Sequence, residues 1–512
     1  MLEPMTPLQQ IPPGVQDVIR ANQTTIAIIT GLYILSFLGV TVLARRTYTE
    51  NLTDFAVASR QLGWIVTAFT LFASVSSGVG MLGFPGTVYS VGAGFTTTVI
   101  IGFSLAGVLI WFFGRRIWII GREYDFVTSG DLLGEYYESD LMRLYTVLIS
   151  IMFNIFYIVA QLAAGGILIN VLSGGAISTN QGVVIIAAVI ALHVIVTGVR
   201  GIAYFDTLNG GIQLVVFTIF AGAIIVQAGG LDVFSGLGSG AGEMVSLPGP
   251  AGAFKVPFVY GTAIGLTLGL ALMTPTAWMR FYATDKRDNF VRLGIAMAFL
   301  FALANLAIYL IGVYGKVLFP NIGNPDFVSS VVAFEVMPIP LAALFLVGVL
   351  AAIVSTSDSY IHAMSTTVGR DLVRAFIEEN MSDRQELVAD YGIVLLTAVV
   401  AVIIALFYRG LITPLAVFAA GLTVQMIPPT FGALCWPRAS YEAALLAPAI
   451  GTPLMITWEL GVITNPLSEI GLRGLLLGLI VNIVVFVVVT YATSPVSVEQ
   501  IEKYHGLLQD DL

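Results

Sequence analysis

Thirteen long apolar runs, bounded by charged residues or by Gly and Pro, constrain this chain more than any other feature of its sequence. A helix that crosses a membrane needs about 20 mostly apolar residues, and these runs reach that length. We therefore predict an all-α integral membrane protein with about 13 transmembrane helices, numbered here as spans 1 to 13. The predicted spans are 24–43, 63–84, 95–113, 144–172, 182–199, 208–228, 258–281, 289–315, 338–366, 388–408, 413–436, 442–463 and 472–494.

The composition limits what else the chain can contain. Of the 512 residues, 57% are hydrophobic and 10% are charged, so we predict one membrane domain over 1–512 without a separate soluble module. The formal net charge of -9 argues against a nucleic-acid partner, because neutralising phosphates requires a basic face. The single cysteine excludes an intramolecular disulfide, and the three histidines have no metal-ligand spacing.

The basic residues are distributed unequally between the two sides of the predicted spans. If the N-terminus lies outside, 17 of the 22 Lys and Arg residues lie on the inner side and 5 on the outer side. Lys and Arg are retained in the cytoplasm during insertion. We therefore predict a multi-pass plasma-membrane protein with an outer N-terminus and a cytoplasmic C-terminus.

Two spans are interrupted at mid-depth by small and polar residues. The interruption in span 2 runs from Phe72 to Gly80, and that in span 7 runs from Met273 to Pro275. Irregular backbone at this depth must face protein or a cavity. The two spans are five apart, so they cross in opposite directions, which indicates an inverted-repeat transporter with a site at the midplane. Close helix packing through small residues explains either interruption taken alone.

Span 9 contains a run of hydroxyl and carboxyl side chains, Ser355-Thr356-Ser357-Asp358-Ser359, within a long apolar stretch. Sodium is a hard cation that prefers oxygen ligands, so two hydroxyls and nearby free carbonyls would make a small neutral cage. Ser and Thr in spanning helices also bond to the carbonyl four residues earlier. On the chemistry of the residues alone, a sodium site and ordinary hydrogen bonds within the helix are equally supported.

Several motifs occur along the chain in an order that is highly specific. They are Asp54 to Gly63, similar to F-x-x-x-G-R-x-L-G; Gly83 to Gly86 with Tyr89 and Gly92; Thr128 to Tyr137, similar to T-x-x-D-x-L-x-x-R-Y but with Tyr136 where Arg is usual; Tyr157 to Leu162; Gly198 to Asp206; Pro275 with Arg280; and Ala352 to Asp371. Through these motifs the chain resembles the sodium/solute symporter family, which includes bacterial sodium/proline, sodium/pantothenate and sodium/galactose transporters.

The resemblance implies the fold of the bacterial leucine transporter, in which ten core helices form two inverted repeats of five. The core would cover 63–436, with repeats at 63–228 and 258–436, while span 1 at 24–43 and the last two spans at 442–494 would be peripheral. The resemblance also places a sodium ion between spans 2 and 9. Its ligands would be the carbonyls of Ala73, Ser76 and Ala352 and the hydroxyls of Ser355 and Thr356.

The substrate pocket inferred beside this site has neutral polar groups and no cation. Its residues would be Ser74, Ser77, Gly78, Gln161, Thr267 and Thr274. The proline carriers have an acid where this chain has Val75, and Trp near the positions of Val79 and Thr267, which argues against proline. A carboxylate would be balanced by sodium and by the positive N-terminus of a broken half-helix.

Three charged residues near the inner face are predicted to form an inner gate or an ion-release path: Arg60, Asp206 and Asp358. Each has a structural alternative. Asp206 fits an N-terminal helix cap, Arg60 fits simple retention of positive charge, and Asp358 fits a carboxylate that faces inner water.

We therefore expect sodium-coupled symport of a small organic solute, such as a monocarboxylate or an amino acid, into the cell by alternating access. The expected partners are the sodium ion, the solute and the lipid bilayer, and sodium is the coupling ion without any other cofactor. A solute sensor with a separate signalling partner and a proton-coupled carrier are the alternatives. An enzyme is disfavoured because the buried polar residues supply no nucleophile and base pair.

Overall fold

The computed structural model describes residues 11–47, 52–227, 244–245, 255–378, 380–408 and 410–511. In these ranges nine helices are long and apolar enough to cross a membrane, and two bent helix pairs raise the number to 11. Apart from an isolated bridge between Leu62 and Thr284, the regular structure within the described ranges is helical. The predicted all-α membrane fold is therefore confirmed.

The helices follow the predicted spans in order. Span 1 is Gln23–Thr47, span 2 is Trp64–Val75 with Val79–Val91, span 3 is Gly94–Leu109, span 4 is Asp140–Leu172, and spans 5 and 6 share Thr179–Gln227. Span 7 is Val256–Leu266 with Pro275–Ala283, span 8 is Asn289–Leu318, span 9 is Ile339–Val368, and span 10 is Asp383–Phe407. Span 11 is Ile412–Val424 with Ile427–Cys435, span 12 is Tyr441–Glu459, and span 13 is Gly474–Ala492.

One continuous stretch of the chain accounts for two of the predicted spans. Thr179–Gln227 has 49 residues, more than twice the roughly 20 that one span needs, and it consists of two helices that meet at a kink. Gly198 interrupts it with φ 57° and ψ -165°, a conformation that residues with a Cβ rarely adopt. Counting this stretch as two spans and adding Tyr441–Glu459 would give 13, and that total stays a prediction. Residue 228, the predicted end of span 6, lies outside the described residues.

Spans 2 and 7 are both broken near the middle, as the sequence predicted. The chain bends by 56° between the two halves of span 2 and by 48° between the two halves of span 7. We call inner the side of each span that the predicted orientation places in the cytoplasm, so the inner half of span 2 is Trp64–Val75. It ends as Ser76 leaves helical geometry, with φ -75° and ψ 78°. In span 7 a π-helical turn ends at Leu272, and the helix restarts at Pro275 with Thr274 as its N-cap. The breaks expose backbone groups that the surrounding helices must cover.

Span 9 lies at the centre of the bundle. All side chains from Phe345 to Thr367 are buried, which is the pattern of a helix surrounded by protein. It packs against spans 4, 5 and 6, and against the inner half of span 2. Span 1 differs, because Ile28, Leu32 and Leu35 are exposed on its surface. Apolar exposure of this kind fits a peripheral helix that contacts lipid.

The inner ends of the two broken spans are tied together by their backbones. The N–H of Leu62 donates to the carbonyl of Ala283 at 3.0 Å, and the N–H of Asp285 donates to the carbonyl of Leu62 at 3.0 Å. These bonds connect the start of span 2 to the end of span 7. The two breaks are thereby held on neighbouring elements.

A strained turn precedes span 2. Ala58, Ser59 and Arg60 have φ values of 49°, 51° and 57°, and the left-handed region costs about 1–2 kcal/mol for each residue with a Cβ. Buried Asp54 stabilises the turn, since it accepts bonds from Ser59 Oγ at 2.9 Å and from Arg200 Nη2 at 2.6 Å. Ser59 occupies the position of glycine in the F-x-x-x-G-R-x-L-G pattern.

The strain at Ser59 can be measured with two substitutions that both remove the hydroxyl. Ser59→Ala keeps the left-handed penalty, whereas Ser59→Gly removes it, so we expect the Gly variant to be more stable than the Ala variant by about 1 kcal/mol. Chemical denaturation of the purified protein in detergent gives the comparison. Equal stability of the two variants would show that the turn is not strained in solution.

Candidate ion and substrate site

A pair of hydroxyls on span 9 meets the last turn of the inner half of span 2. Ser355 Oγ lies 3.3 Å and Thr356 Oγ1 lies 3.1 Å from the carbonyl oxygen of Ala73. Ser355 Oγ also lies 3.2 Å from the carbonyl oxygen of Ala352. Because the helix ends at Val75, carbonyls in its last turn lack helical donors and accept bonds from other groups.

Ser76 completes the predicted ligand set at the point where the helix stops. Its backbone is non-helical, and its buried Oγ has no hydrogen-bond partner among the described residues. The structure thus brings Ala73, Ala352, Ser355 and Thr356 into contact and places Ser76 on the adjoining break. All the oxygens involved are neutral, which suits a hard monovalent cation.

Neighbouring Ser357 behaves differently. Its Oγ donates to the carbonyl of Ile353, four residues earlier in the same helix, at 2.7 Å. This is the ordinary helical bond that competes with ion binding for any hydroxyl in a spanning helix. Thr356 instead donates across to Ala73, so the ordinary helical bond that describes Ser357 does not describe Thr356.

Gln161 of span 4 faces the break in span 2. Its Oε1 accepts a bond from the backbone N–H of Gly78 at 2.9 Å, which fixes the orientation of the amide because an N–H can only donate. Its Nε2 is buried without a partner within the described part of the chain. Ser77, the residue before Gly78, has its Oγ 3.2 Å from Tyr157 OH. The break is therefore lined by an unpaired amide donor of span 4 and by a pair of hydroxyls in contact.

The other three predicted pocket residues have separate surroundings. Thr267 Oγ1 donates to the carbonyl of Ala263 at 2.7 Å within span 7. Thr274 Oγ1 accepts from the N–H of Ala277 at 3.2 Å and caps the inner half of that span. Ser74 turns towards the inner side, where its Oγ lies 3.1 Å from Ser359 Oγ. None of the three shares a described hydrogen bond with Gln161.

A buried charged cluster lies on the inner side of the hydroxyl cage. Arg280 Nη2 lies 3.5 Å from Asp206 Oδ2 and donates to Ser359 Oγ at 2.6 Å. Thr70 donates a short hydrogen bond to Asp206 and accepts from Arg280 Nε at 3.2 Å. Asp206 lies eight residues after the break at Gly198, inside the helix that continues to Gln227, so its interpretation as an N-terminal cap is wrong.

Asp358 is paired inside the protein. Its Oδ2 lies 2.9 Å from His193 Nδ1, and both side chains are fully buried. The rings of Phe37 and Phe205 pack on the imidazole at 4.8 Å and 5.3 Å. The expectation that Asp358 faces inner water is therefore wrong, because its carboxyl is fully buried and paired with His193.

Arg60 lies apart from these two aspartates. It donates to the carbonyl of Phe126 at 3.0 Å and pairs with Asp125 at 3.5 Å. Burial lowers the pKa of its guanidinium from the usual value. Arg60 thus joins the start of span 2 to the segment after span 3, and its described contacts do not include Asp206 or Asp358.

The sequence interpretation left out several members of this site. Arg280 entered only as part of a motif, and His193, Thr70, Ser359 and Tyr157 were given no role in the site. A charged residue within an apolar run is costly unless it has a buried partner. The position of Arg280 inside the predicted span 258–281 therefore already indicated a buried, paired residue. His193, inside the predicted span 182–199, carried the same signal. Thr70, Ser359 and Tyr157 carried none, because their roles depend on which helices pack together.

Comparison with known proteins identifies the family of this chain. The family model of the sodium:solute symporter family matches residues 55–451. The chain belongs to this family. It is 24% identical over 462 residues to the sodium/pantothenate symporter of Escherichia coli (strain K12), covering 89% of this chain and 94% of the relative. It is 25% identical over 476 residues to the high-affinity proline transporter PutP of Bacillus subtilis (strain 168), covering 90% and 97%.

Two solved structures share the fold. One is a Na⁺-coupled sialic acid symporter in a substrate-bound outward-open state, with a TM-score of 0.76, 15% identity, and coverage of 92% of this chain and 98% of that chain. The other is Mhp1, a nucleobase-cation-symport-1 family transporter, in a closed conformation, with a TM-score of 0.58, 16% identity, and coverage of 89% and 99%. This symporter thus has the fold of the bacterial leucine transporter. It is a sodium-coupled carrier of small solutes in the plasma membrane and not an enzyme.

The buried Arg280 and Asp206 pair can be tested by a double-mutant cycle. Arg280→Gln leaves a carboxylate without its cation, so we expect the free energy of unfolding to fall by about 3 kcal/mol. Asp206→Asn should be destabilising for the reciprocal reason, and the double variant should lose less than the sum of the two. Denaturation in detergent measures all three, with exposed Arg122→Gln as the control. Additive losses would refute a direct interaction.

Proposed function

We propose that this symporter carries sodium together with a small carboxylate solute into the cell by alternating access. The observation that supports the sodium site is the contact of Ser355 and Thr356 with the Ala73 carbonyl. The substrate site is proposed at the same break, around the Nε2 of Gln161, which has no hydrogen-bond partner among the described residues, and the backbone of Gly78. The remaining proposed pocket residues are Ser74, Ser77, Thr267 and Thr274.

The proposed sodium site would form by reorienting groups that are already in contact. A hydroxyl has one donor and two acceptor sites. In the structure Ser355 and Thr356 donate to the carbonyl of Ala73. A sodium ion between them would take the lone pairs of both hydroxyls and the carbonyls of Ala73, Ser76 and Ala352, and it would join span 2 to span 9.

The proposed substrate group is a carboxylate because the break offers donors and positive potential. Gln161 Nε2 is one donor. The outer half of span 2 restarts at Val79, so its first N–H groups and the positive end of its dipole lie at the break. Sodium bound in the cage would add a full positive charge nearby. A neutral sugar would gain nothing from this positive charge.

Coupling follows from this shared location. Sodium would fix span 2 against span 9 and so complete the substrate site, while a bound carboxylate would stabilise the cation. Each ligand must then raise the affinity of the other by the same factor. On the inner side, Ser359 and Asp206 lie within 3.4 Å of each other, one turn beyond Ser355, and we place the inward release of sodium along these oxygens.

The predicted orientation completes the proposal. With the N-terminus outside, the cluster of Asp206, Asp358 and Arg280 lies on the cytoplasmic side of the cage, and Arg60 belongs to the inner closure through Asp125 and Phe126.

The sensor alternative is not favoured by the family. A proton-coupled carrier is disfavoured because the cage consists of hydroxyls and carbonyls, which do not titrate near neutral pH.

The sodium site is tested by Ser355→Ala and Thr356→Ala. Each removes one neutral ligand, so we expect the sodium concentration for half-maximal uptake to rise at least tenfold in proteoliposomes, and sodium stimulation to disappear in the double variant. Ser357→Ala is the matched control, because its hydroxyl bonds within its own helix. Unchanged sodium dependence in the double variant would refute the assigned ligands.

The substrate site is tested with Gln161→Leu and Gln161→Glu after an uptake screen of acetate, proline, pantothenate and sugars. Loss of a hydrogen bond to a charged group costs about 1.5–3 kcal/mol, so we expect Gln161→Leu to raise the half-saturating carboxylate concentration roughly 10- to 100-fold. Gln161→Glu should be more harmful because like charges repel. Asn154→Leu, which changes an amide bonded within the same helix, is the control. Sodium-driven uptake of sugars alone would contradict a carboxylate substrate.

A further inference from the structure

After span 13 the chain continues into a short helical segment, residues 498–511, which we call the C-terminal segment. Three of its side chains are buried, those of Tyr504, His505 and Leu508, whereas Glu499 is exposed. Positions 504, 505 and 508 lie on one side of a helix. The segment therefore packs against the rest of the protein through one face, and the ion and substrate site does not account for this contact.

Tyr504 packs against the ends of two short helices near the predicted cytoplasmic face. One helix is Arg115–Glu123, the continuation of span 3, and the other is Ser129–Tyr136, which precedes span 4. The centre of the Tyr504 ring lies 5.2 Å from that of Tyr124 and 5.4 Å from that of Tyr136. Aromatic pairs at such distances stabilise a contact beyond the burial of their surfaces. The single ring of Tyr504 thus braces the corner between the two helices.

Polar contacts fix the C-terminal segment on both sides of this ring. Tyr124 OH donates to the carbonyl of Lys503 at 3.1 Å, and the Lys503 ammonium lies 4.6 Å from the centre of the Tyr124 ring. Tyr136 OH lies 2.9 Å from His505 Nε2. Burial lowers the pKa of His505 to about 4, so the imidazole is neutral at pH 7 and its hydrogen bond with Tyr136 persists there.

Tyr136 is the residue at which this chain departs from the T-x-x-D-x-L-x-x-R-Y pattern, in which Arg is usual. The tyrosine supplies the ring on which Tyr504 packs and the hydroxyl that contacts His505. An arginine would instead bring a permanent charge into a site whose histidine is kept neutral by burial. The departure from the pattern and the docked C-terminal segment therefore fit one another.

The corner that Tyr504 braces also holds the start of span 2. Within the corner, Asp125 has a φ of 54°, which is unfavourable for a residue with a Cβ. Arg60 pairs with the carboxylate of Asp125 at 3.5 Å and donates to the carbonyl of Phe126 at 3.0 Å. The inner half of span 2 is therefore fastened to a corner that the C-terminal segment supports.

We propose that the C-terminal segment is a cytoplasmic strap that stabilises the state of the symporter that is closed on its inner side. Alternating access requires the inner half of span 2 to separate from its neighbours before sodium and solute can leave. While the segment is docked, the partners of Arg60 stay in place and oppose this separation. The strap rests on the proposed orientation and transport cycle, and it acts on the inner closure without touching the ion or the solute.

The docking is weaker than the site allows. Tyr504 OH is buried and has no hydrogen-bond partner among the described residues. A buried hydroxyl without a partner opposes docking, because it has given up its bonds to water. Phenylalanine at this position keeps the ring and removes the hydroxyl, whereas alanine removes the ring as well. Two variants of one residue should therefore move the strap in opposite directions.

The experiment measures how fast a single cysteine at the inner closure reacts with a maleimide in the full-length protein in detergent. Thr284 is fully buried beside Leu62, where the end of span 7 meets the start of span 2. A cysteine introduced as Thr284→Cys becomes accessible when the inner side opens. Cys435 is replaced by Ala in every variant, so that the introduced thiol is the only one.

We expect Tyr504→Ala to raise the labelling rate about tenfold or more, because it removes a buried ring. Tyr504→Phe should lower the rate by about fivefold, because the unpaired hydroxyl is gone. If the segment must leave before the inner side opens, a change in docking changes the open fraction by the same factor. His505→Ala should also speed labelling, and Glu499→Gln, on the exposed face of the segment, should leave the rate unchanged.

Slower labelling of Tyr504→Phe is the decisive result, since general loosening of the fold in Tyr504→Ala would also speed labelling. Equal rates for Tyr504→Phe and the unchanged protein, or a faster rate for Tyr504→Phe, would overturn the strap. Sodium separates this test from the proposed function. It should slow labelling by fixing span 2 against span 9, and Ser355→Ala with Thr356→Ala should abolish that effect while the response to the Tyr504 variants remains.

Discussion

The need to satisfy every backbone polar group inside hydrocarbon is the constraint on which the rest of this structure depends. Lipid offers no hydrogen bonds, so a broken helix survives only where protein covers the break. The break at Ser76 is covered by span 9, whose hydroxyls donate to the carbonyl of Ala73, and by Gln161, which accepts from Gly78. The same interactions that make the break tolerable therefore gather the oxygens and the amide of the candidate site.

Buried charged side chains must also be satisfied by other groups of the protein, and leaving one unpaired costs more free energy than leaving a backbone group unpaired. Four ionisable side chains, those of Asp206, Arg280, Asp358 and His193, are buried together in the inner half of the bundle. A charge left alone there is expensive, and each of these residues contacts another member or a hydroxyl. The cluster adjoins the hydroxyl cage, so the path proposed for sodium release passes groups that are already arranged to compensate charge.

Much of the fold was predictable because the bilayer restricts the length and the composition of the helices that cross it. Span length, apolar composition and the unequal distribution of Lys and Arg are properties of the chain alone, and the breaks in spans 2 and 7 were visible as small and polar residues at mid-depth. The contact of Ala73 with Ser355 and Thr356 agrees with the predicted ligand set, although the ion itself stays a proposal. The interpretations of Asp206 as a cap and of Asp358 as exposed to water failed, because both depended on where a helix ends and which face it buries.

The sequence by itself determined the solvent of this protein, the order of its helices, the position of its two breaks and the family to which it belongs. Only the tertiary structure decided which polar groups meet: Asp358 with His193, Arg280 with Asp206, and Ser74 with Ser359 rather than with Gln161. The physical reason is the distance along the chain. Hydropathy and helix breaks are local properties. The two residues of each of these pairs are separated by between 74 and 285 positions in the sequence, so their contacts depend on how the helices pack.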